Sequence, residues 1–292
     1  MMNAIMNAAG TWMWNNRTHG ELKWTTIETE HFNIHYHQNL DKIAIQGASI
    51  AEQIRPTLMK QMGLESLPTL DIIFTAEDEV LNGFAVPANY TIIWVDQNDA
   101  ALWTGDEKWL RTVLAHELQH LVYFNTVKGP WWLPEPMNSL VHGTPAWIVE
   151  GIAEYFTEEW RPFRYELSHR YHVLRNTVHK IQDPHNDGYS KSLYLADRFG
   201  DSTISKILNH RNKFKFLDFK ESFKKHTGIT LKQFNEDWRR QMNTFYFSQR
   251  SQKERLEDAG VIRKLPIKRV LSFDYFSDTS RIAMITRLSK GQ

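Results

Sequence analysis

The string His116-Glu117-Leu118-Gln119-His120 places two imidazoles and a carboxylate at a spacing suited to metal chemistry. On an α-helix, residues four apart share a face. His116 and His120 can therefore present nitrogens to one divalent ion. Glu117 lies beside them, where a carboxylate can take a proton from a water activated at that ion. The surrounding run reads as helix: Leu110, Leu114, Leu118, Leu121 and Val122 form an apolar stripe at 3/4 spacing, with both histidines on its flank. Histidines on a half-buried helix need partners, because a buried polar group without one is costly. A shared zinc ion supplies one.

Catalytic zinc takes three protein ligands and keeps one position open. A third histidine in the extended pattern H-x-x-G-x-x-H is excluded, since Tyr123 and Thr126 occupy the glycine and histidine places. A carboxylate from a second helix is the other choice, and the segment Thr144 to Glu159 fits it. Thr144 suits an N-cap and Pro145 the first helical position. Trp147, Ile148, Ile152 and Tyr155 form the apolar pattern, while Glu150 and Glu154, four apart, share a face. Like charges so placed repel unless a cation is near. Glu158 and Glu159 read as a solvated acidic edge.

His-Glu-x-x-His followed by Trp147-Ile148-x-Glu150-Gly151-x-Ala153-x-Tyr155 resembles the gluzincin group of zinc peptidases. It is similar to the large zinc aminopeptidases, whose second helix carries Asn-Glu-Gly-Phe-Ala. The resemblance implies Zn2+ held by His116, His120 and Glu150, with Glu117 as general base. It places Glu154 where such enzymes carry an acid that holds a ligand histidine, fixing its tautomer and raising its basicity. Twenty-nine residues lie between His120 and Glu150, a longer spacer than the aminopeptidases have. Within it Lys128 to Gly143, with Trp131, Trp132, Pro134 and Pro136, reads as a loop. Tyr189-Ser190-Lys191-Ser192 resembles the Tyr-x-Lys-Gly segment of the aminopeptidases, whose tyrosine stabilises the oxyanion of peptide hydrolysis. Tyr189 is the matching candidate, although Ser192 replaces the glycine. His142, His172, His179 and His185 are alternative donors, and the segment from Asp187 to Gly200 opens a further helix after a turn.

The elements that must position these residues follow from periodicity. Thr29 to His37 alternates as a strand, Leu40 to Met62 has helical spacing interrupted by Pro56, and Thr69 to Thr75 is a short apolar strand. Asn82 to Asn89 reads as a loop and the run to Val95 as a strand, ahead of the histidine helix from about Glu107. Candidate helices cover Tyr165–Ile181, Lys191–Phe199, Ile204–Asn212, Phe219–Lys225 and Leu231–Phe247. Val270 to Ile285 alternates like two strands about a turn and is similar to the opening of a β-propeller blade. From about residue 20 to about residue 250 the chain resembles bacterial gluzincin peptidase domains placed ahead of β-propeller repeats. The expected fold class is α+β: a gluzincin-like zincin with a small mixed N-terminal sheet, an HExxH helix and a glutamate helix, then a mainly helical C-terminal subdomain. The expected divisions are a tail (1–20), a zincin subdomain (21–126), the glutamate helix with the helical subdomain (127–258), and a β-rich tail (259–292). That last segment either packs on the peptidase domain or begins a propeller.

Composition narrows the partners. With 35 basic against 34 acidic residues and no basic stripe, nucleic acid is not expected. Cysteine is absent, which excludes disulfides and Cys-based metal sites. No apolar run is long enough to span a membrane, and Met1 to Gly20 has no clear signal-peptide core. The resemblance implies a location outside the cytoplasm, in the periplasm or cell envelope. The expected activity is zinc-dependent hydrolysis of a peptide or protein substrate. The aminopeptidases that the chain resembles carry a glutamate before this strand to bind the substrate's free amine; Asn82 to Asn89 holds no acid, so the resemblance favours internal cleavage, although Glu77, Asp78 and Glu79 lie just upstream. The backbone of Tyr90 to Val95 is expected to be an edge strand that aligns an extended peptide. The competing reading is a non-catalytic or latent zinc-binding interaction module on a peptidase fold, against which the intact Glu117 speaks.

Overall fold

Alternation over Phe32–His37 makes a strand whose Phe32, Ile34 and Tyr36 side chains are buried. The computed structural model describes residues 21–76, 82–95, 108–134, 137–138, 141–157, 163–180, 183–255, 258, 260–261, 267–278 and 281–288. In it that strand is β2 of a five-stranded mixed sheet. The strands are β1 (Trp24–Glu28), β2 (Phe32–His37), β3 (Leu70–Thr75), β4 (Asn82–Val86) and β5 (Tyr90–Trp94), in the order β1-β2-β3-β5-β4. β2, β3 and β5 run parallel, and β1 and β4 flank them antiparallel. The crossover from β2 to β3 is helix α1 (Asp41–Met62), with Pro56 on an exposed position within it.

The sheet differs from the sequence reading in two details. Asn82 to Asn89 is not a loop: β4 and β5 form a hairpin whose turn ends at Asn89, at φ 65°. Asparagine tolerates that left-handed backbone. The edge strand is therefore β4, and β5, expected at the edge, lies inside the sheet between β3 and β4. Register fixes which way β4 faces. Gly83 aligns with Ile93, Ile93 with Phe74, and Phe74 with Tyr36. Residues in one such row share a face, and the buried Tyr36, Phe74 and Ile93 mark it as the core face.

Helix α2 (Lys108–Thr126) buries Leu110, Leu114, Leu118, Leu121 and Val122, the stripe read from the sequence. α3 (Ala146–Thr157), α4 (Phe163–Leu174), α5 (Pro184–Phe199), α6 (Ser202–Asn209), α7 (Phe219–Thr227) and α8 (Leu231–Ser251) follow. One apolar core joins the sheet, α1, α2 and α3 to Leu195, Ile204, Phe223 and Phe234 of the later helices. α5 begins earlier than periodicity suggests. Asp183 accepts a hydrogen bond from the His185 backbone N–H at 3.0 Å, and Pro184 takes the first helical position. Gly188, ahead of the helix expected over Lys191–Phe199, is thus inside it.

The chain falls into two units, one ending at Tyr246 and the other spanning Phe247–Gln292. The second contains an antiparallel hairpin, β6 (Ile267–Phe276) and β7 (Arg281–Leu288), with register shifts along it. The architecture is mixed helix and sheet, consistent with the α+β class. No described helix is long and apolar enough to cross a membrane. The expected N-terminal tail, residues 1–20, lies outside the described residues, as do Glu77, Asp78, Glu79, Glu158 and Glu159.

Candidate active site

α2 delivers His116, Glu117 and His120, and α3 delivers Glu150 and Glu154. His116 Nε2 and His120 Nε2 stand 3.1 Å apart. Glu150 Oε2 is 3.6 Å from the first and 3.3 Å from the second. Three ligand-type atoms thus meet at the corners of a nearly regular triangle, and they form one of the clusters able to hold a metal ion. Four-coordinate zinc with bonds of about 2.0–2.1 Å separates its ligand atoms by about 3.4 Å. The spacing of this triangle matches. Two imidazoles and one carboxylate are also the donor set of a catalytic zinc with a position left open. The residues present therefore fit the ion that the motif implies.

The charges around the triangle act strongly on one another. Burial works against the Glu150 carboxylate, but His120, His116 and His185 outweigh it and hold its pKa far below the usual carboxylate range. Burial likewise opposes a proton on His120, while Glu150 and Glu117 more than compensate and raise its pKa. Glu117 is almost fully buried, and desolvation pushes its pKa up even though His116 and His120 pull it down. A carboxylate whose proton affinity is raised in this way suits a general base.

Glu117 packs against the edge strand. A Cβ on Gly83 would stand 2.5 Å from Glu117 Cγ and 2.7 Å from its Oε1. Only a residue without a side chain leaves room for the carboxylate there, because the register of β4 turns position 83 toward the helices.

Glu154 is 0 % exposed and lies behind the triangle. Its Oε1 is 3.8 Å from His116 Nδ1, on the side of that ring away from the cluster of Nε2 atoms, and accepts a 2.9 Å hydrogen bond from His185 Nδ1. His185 Nδ1 is also 3.5 Å from Glu150 Oε2, and its ring stacks on His116 with centroids 5.7 Å apart. Of the four alternative histidines, His185 is the one brought to the cluster. The other three are occupied elsewhere. His142 Nδ1 accepts from the Thr144 backbone, His172 pairs with Thr177, and His179 is exposed. Tyr189 lies one turn beyond His185 on α5, buried, its ring 6.4 Å from that of Tyr155.

Two features fix α5 against its neighbours. On one side Gly188 and Gly151 let α5 and α3 approach so closely that a Cβ on either would collide with backbone of the other. A buried polar cluster anchors the helix as well. Lys191 Nζ bonds Asp187 Oδ2 at 2.8 Å and lies 4.7 Å from the Trp238 ring centroid, and Trp238 Nε1 donates to Ser190 Oγ at 3.0 Å.

No family model matches the chain, and no curated protein does. Among solved structures, the chain is similar to an aminopeptidase N family protein from Idiomarina loihiensis, at 14% identity and a TM-score of 0.46. The match covers 75% of this chain and 46% of that one, so the chain spans under half the length of that protein.

Proposed function

We propose that this chain is a zinc-dependent peptidase of the gluzincin type, with His116, His120 and Glu150 holding the metal and Glu117 as general base. The observation that carries the reading is the Nε2, Nε2, Oε2 triangle with a buried carboxylate of raised pKa next to it on the same helix. Zinc bound there supplies Lewis acidity, which lowers the pKa of a water and polarises a carbonyl. Glu117 takes a proton from the attacking water and passes it to the leaving amine as the C–N bond breaks. Glu154 faces His116 Nδ1 at 3.8 Å, on the side from which an acid orients a ligand histidine. The Tyr189 hydroxyl is assigned to the developing oxyanion. The outer edge of β4 offers backbone groups to an extended peptide, adding it as a strand. Because Asn82 to Asn89 holds no acid to capture an amino terminus, internal bonds of a peptide or protein are the favoured substrate.

The test is metal content and turnover measured together. Elemental analysis should give a single zinc per chain, and a quenched-peptide library should be cleaved in a chelator-sensitive way. Glu117→Gln should lower turnover by roughly 100-fold or more while zinc content stays at the wild-type level. Undiminished cleavage by Glu117→Gln refutes the role of Glu117. Stoichiometric zinc without turnover of any peptide supports the non-catalytic module instead.

A further inference from the structure

We infer that His185 is a positioning residue of the metal centre, acting through Glu154 on His116. This rests on the zinc reading above and ties α5, which already carries Tyr189, to the metal ligands themselves. Glu154 is the most enclosed carboxylate of the cluster and faces two imidazoles. The one expected to need it, His116, is 3.8 Å away, beyond hydrogen-bond distance. His185, at 2.9 Å, makes the hydrogen bond. A fully buried carboxylate must be held by donors. The Nδ1–H of His185 is thus one donor that holds Glu154 in the place from which it can meet His116. The stacking of the two rings supports the same alignment from the side, with an interplanar angle of 27°.

The local sequence explains why His185 is there. Asp183 caps α5 and Pro184 opens it, which places His185 in the first turn with Tyr189 one turn along the same face. The Gly151–Gly188 approach then brings this face against the glutamate helix. His185 keeps 45% of its side chain exposed, so only its Nδ1 edge is committed to the carboxylates.

The experiment is a zinc-affinity cycle on the full chain, read by competition with a chromophoric chelator. The visible spectrum of the Co2+-loaded protein gives a second readout, and apo-protein melting controls for folding. His185→Ala should weaken zinc about 10- to 100-fold, the range for removing a group that orients a ligand. His185→Asn, whose amide can offer an N–H near the position of Nδ1, should restore most of that loss and the wild-type Co2+ spectrum. In a Glu154→Gln background, His185→Ala should cost less than about twofold more, because the two act in series. Wild-type zinc affinity in His185→Ala overturns the inference, as does an undiminished loss in the Glu154→Gln background. A wild-type titration comes first: a chain that takes up neither Zn2+ nor Co2+ overturns the metal centre itself and this role with it. Failure confined to the variants overturns only the role of His185.

Discussion

Replacing Gly151 by alanine tests whether the separation of α3 and α5 sets the geometry of the site. A Cβ at residue 151 would lie 2.5 Å from the Gly188 carbonyl carbon and 2.7 Å from its Cα, and closer still to the carbonyl oxygen. Ordinary carbon contacts lie at about 3.5–4.0 Å, so the helices must part by about 1 Å. Every colliding atom is backbone, and none can rotate away. Forcing a methyl into such a contact costs about 3 kcal/mol. Alanine regains about 1 kcal/mol over glycine inside a helix, which leaves a net loss of about 2 kcal/mol. For a chain of this size that is a fall in Tm of about 4–8 °C. Because α3 carries Glu150 and Glu154 and α5 carries His185, the same displacement stretches the 2.9 Å bond between His185 and Glu154 past its useful range. Zinc affinity should fall about tenfold or more. Gly188→Ala should behave alike, since its Cβ would meet Gly151 N and Cα at 2.7 Å. Calorimetry of the apo-protein and chelator competition measure the two effects. A Gly151→Ala protein that melts and binds zinc like wild type refutes the argument that this contact sets the helix separation.

Gly83→Ala should separate folding from chemistry. The atoms nearest the added methyl all belong to the Glu117 side chain rather than to backbone, so stability should stay within about 1 kcal/mol of wild type, while a base displaced by about 1 Å should lose roughly 100-fold in kcat; unchanged kcat with intact folding argues against the packing of Glu117 on β4. His142 makes stability pH-dependent: burial, then the nearby Arg211, lower its pKa to about 4. Unfolded chains take up a proton as pH falls through about 6.5 while folded ones do not. The stability present above that pH is thus lost by about 3 kcal/mol on the way down to pH 4. Denaturant melts across this window should show the loss, and His142→Asn, which can still accept from the Thr144 N–H, should remove that part of the slope; an unaltered slope would count against His142 as its source.

The part of the site that could be read from the sequence is the part that one helix makes alone. His116, Glu117 and His120 are related by spacings of one and four residues, and the apolar stripe beside them fixes which way they face. Glu150 and Glu154 were legible for the same reason, each being placed by the periodicity of its own helix. The strand Phe32–His37 followed from alternation and Leu70–Thr75 from a short apolar run, while the α+β class came with the resemblance. The hairpin did not, because β4 contains Asn82 and Gly83, poor strand formers whose pairing is decided by the partner strand rather than by propensity. Placing β5 at the edge was the direct consequence of reading β4 as loop.

His185 shows where local reading stops. As a residue type it stood level with three other histidines, and nothing in its immediate neighbours separates them. Its capping signal, Asp183-Pro184, was present and would have started α5 early enough to put His185 and Tyr189 on one face. The decisive fact is nevertheless a distance between helices, which two glycines 37 positions apart in the chain make short. A missing side chain leaves no periodic signature. Gly151 looks like an ordinary part of a Glu-Gly motif, and Gly188 like a turn residue after aspartate. Only when the two backbones meet does each explain the other. The second carboxylate of the glutamate helix then acquires two imidazoles, one facing the metal triangle and one on α5. The proposed chemistry lies along α2, but its alignment depends on a contact in which neither residue has a side-chain atom beyond Cα.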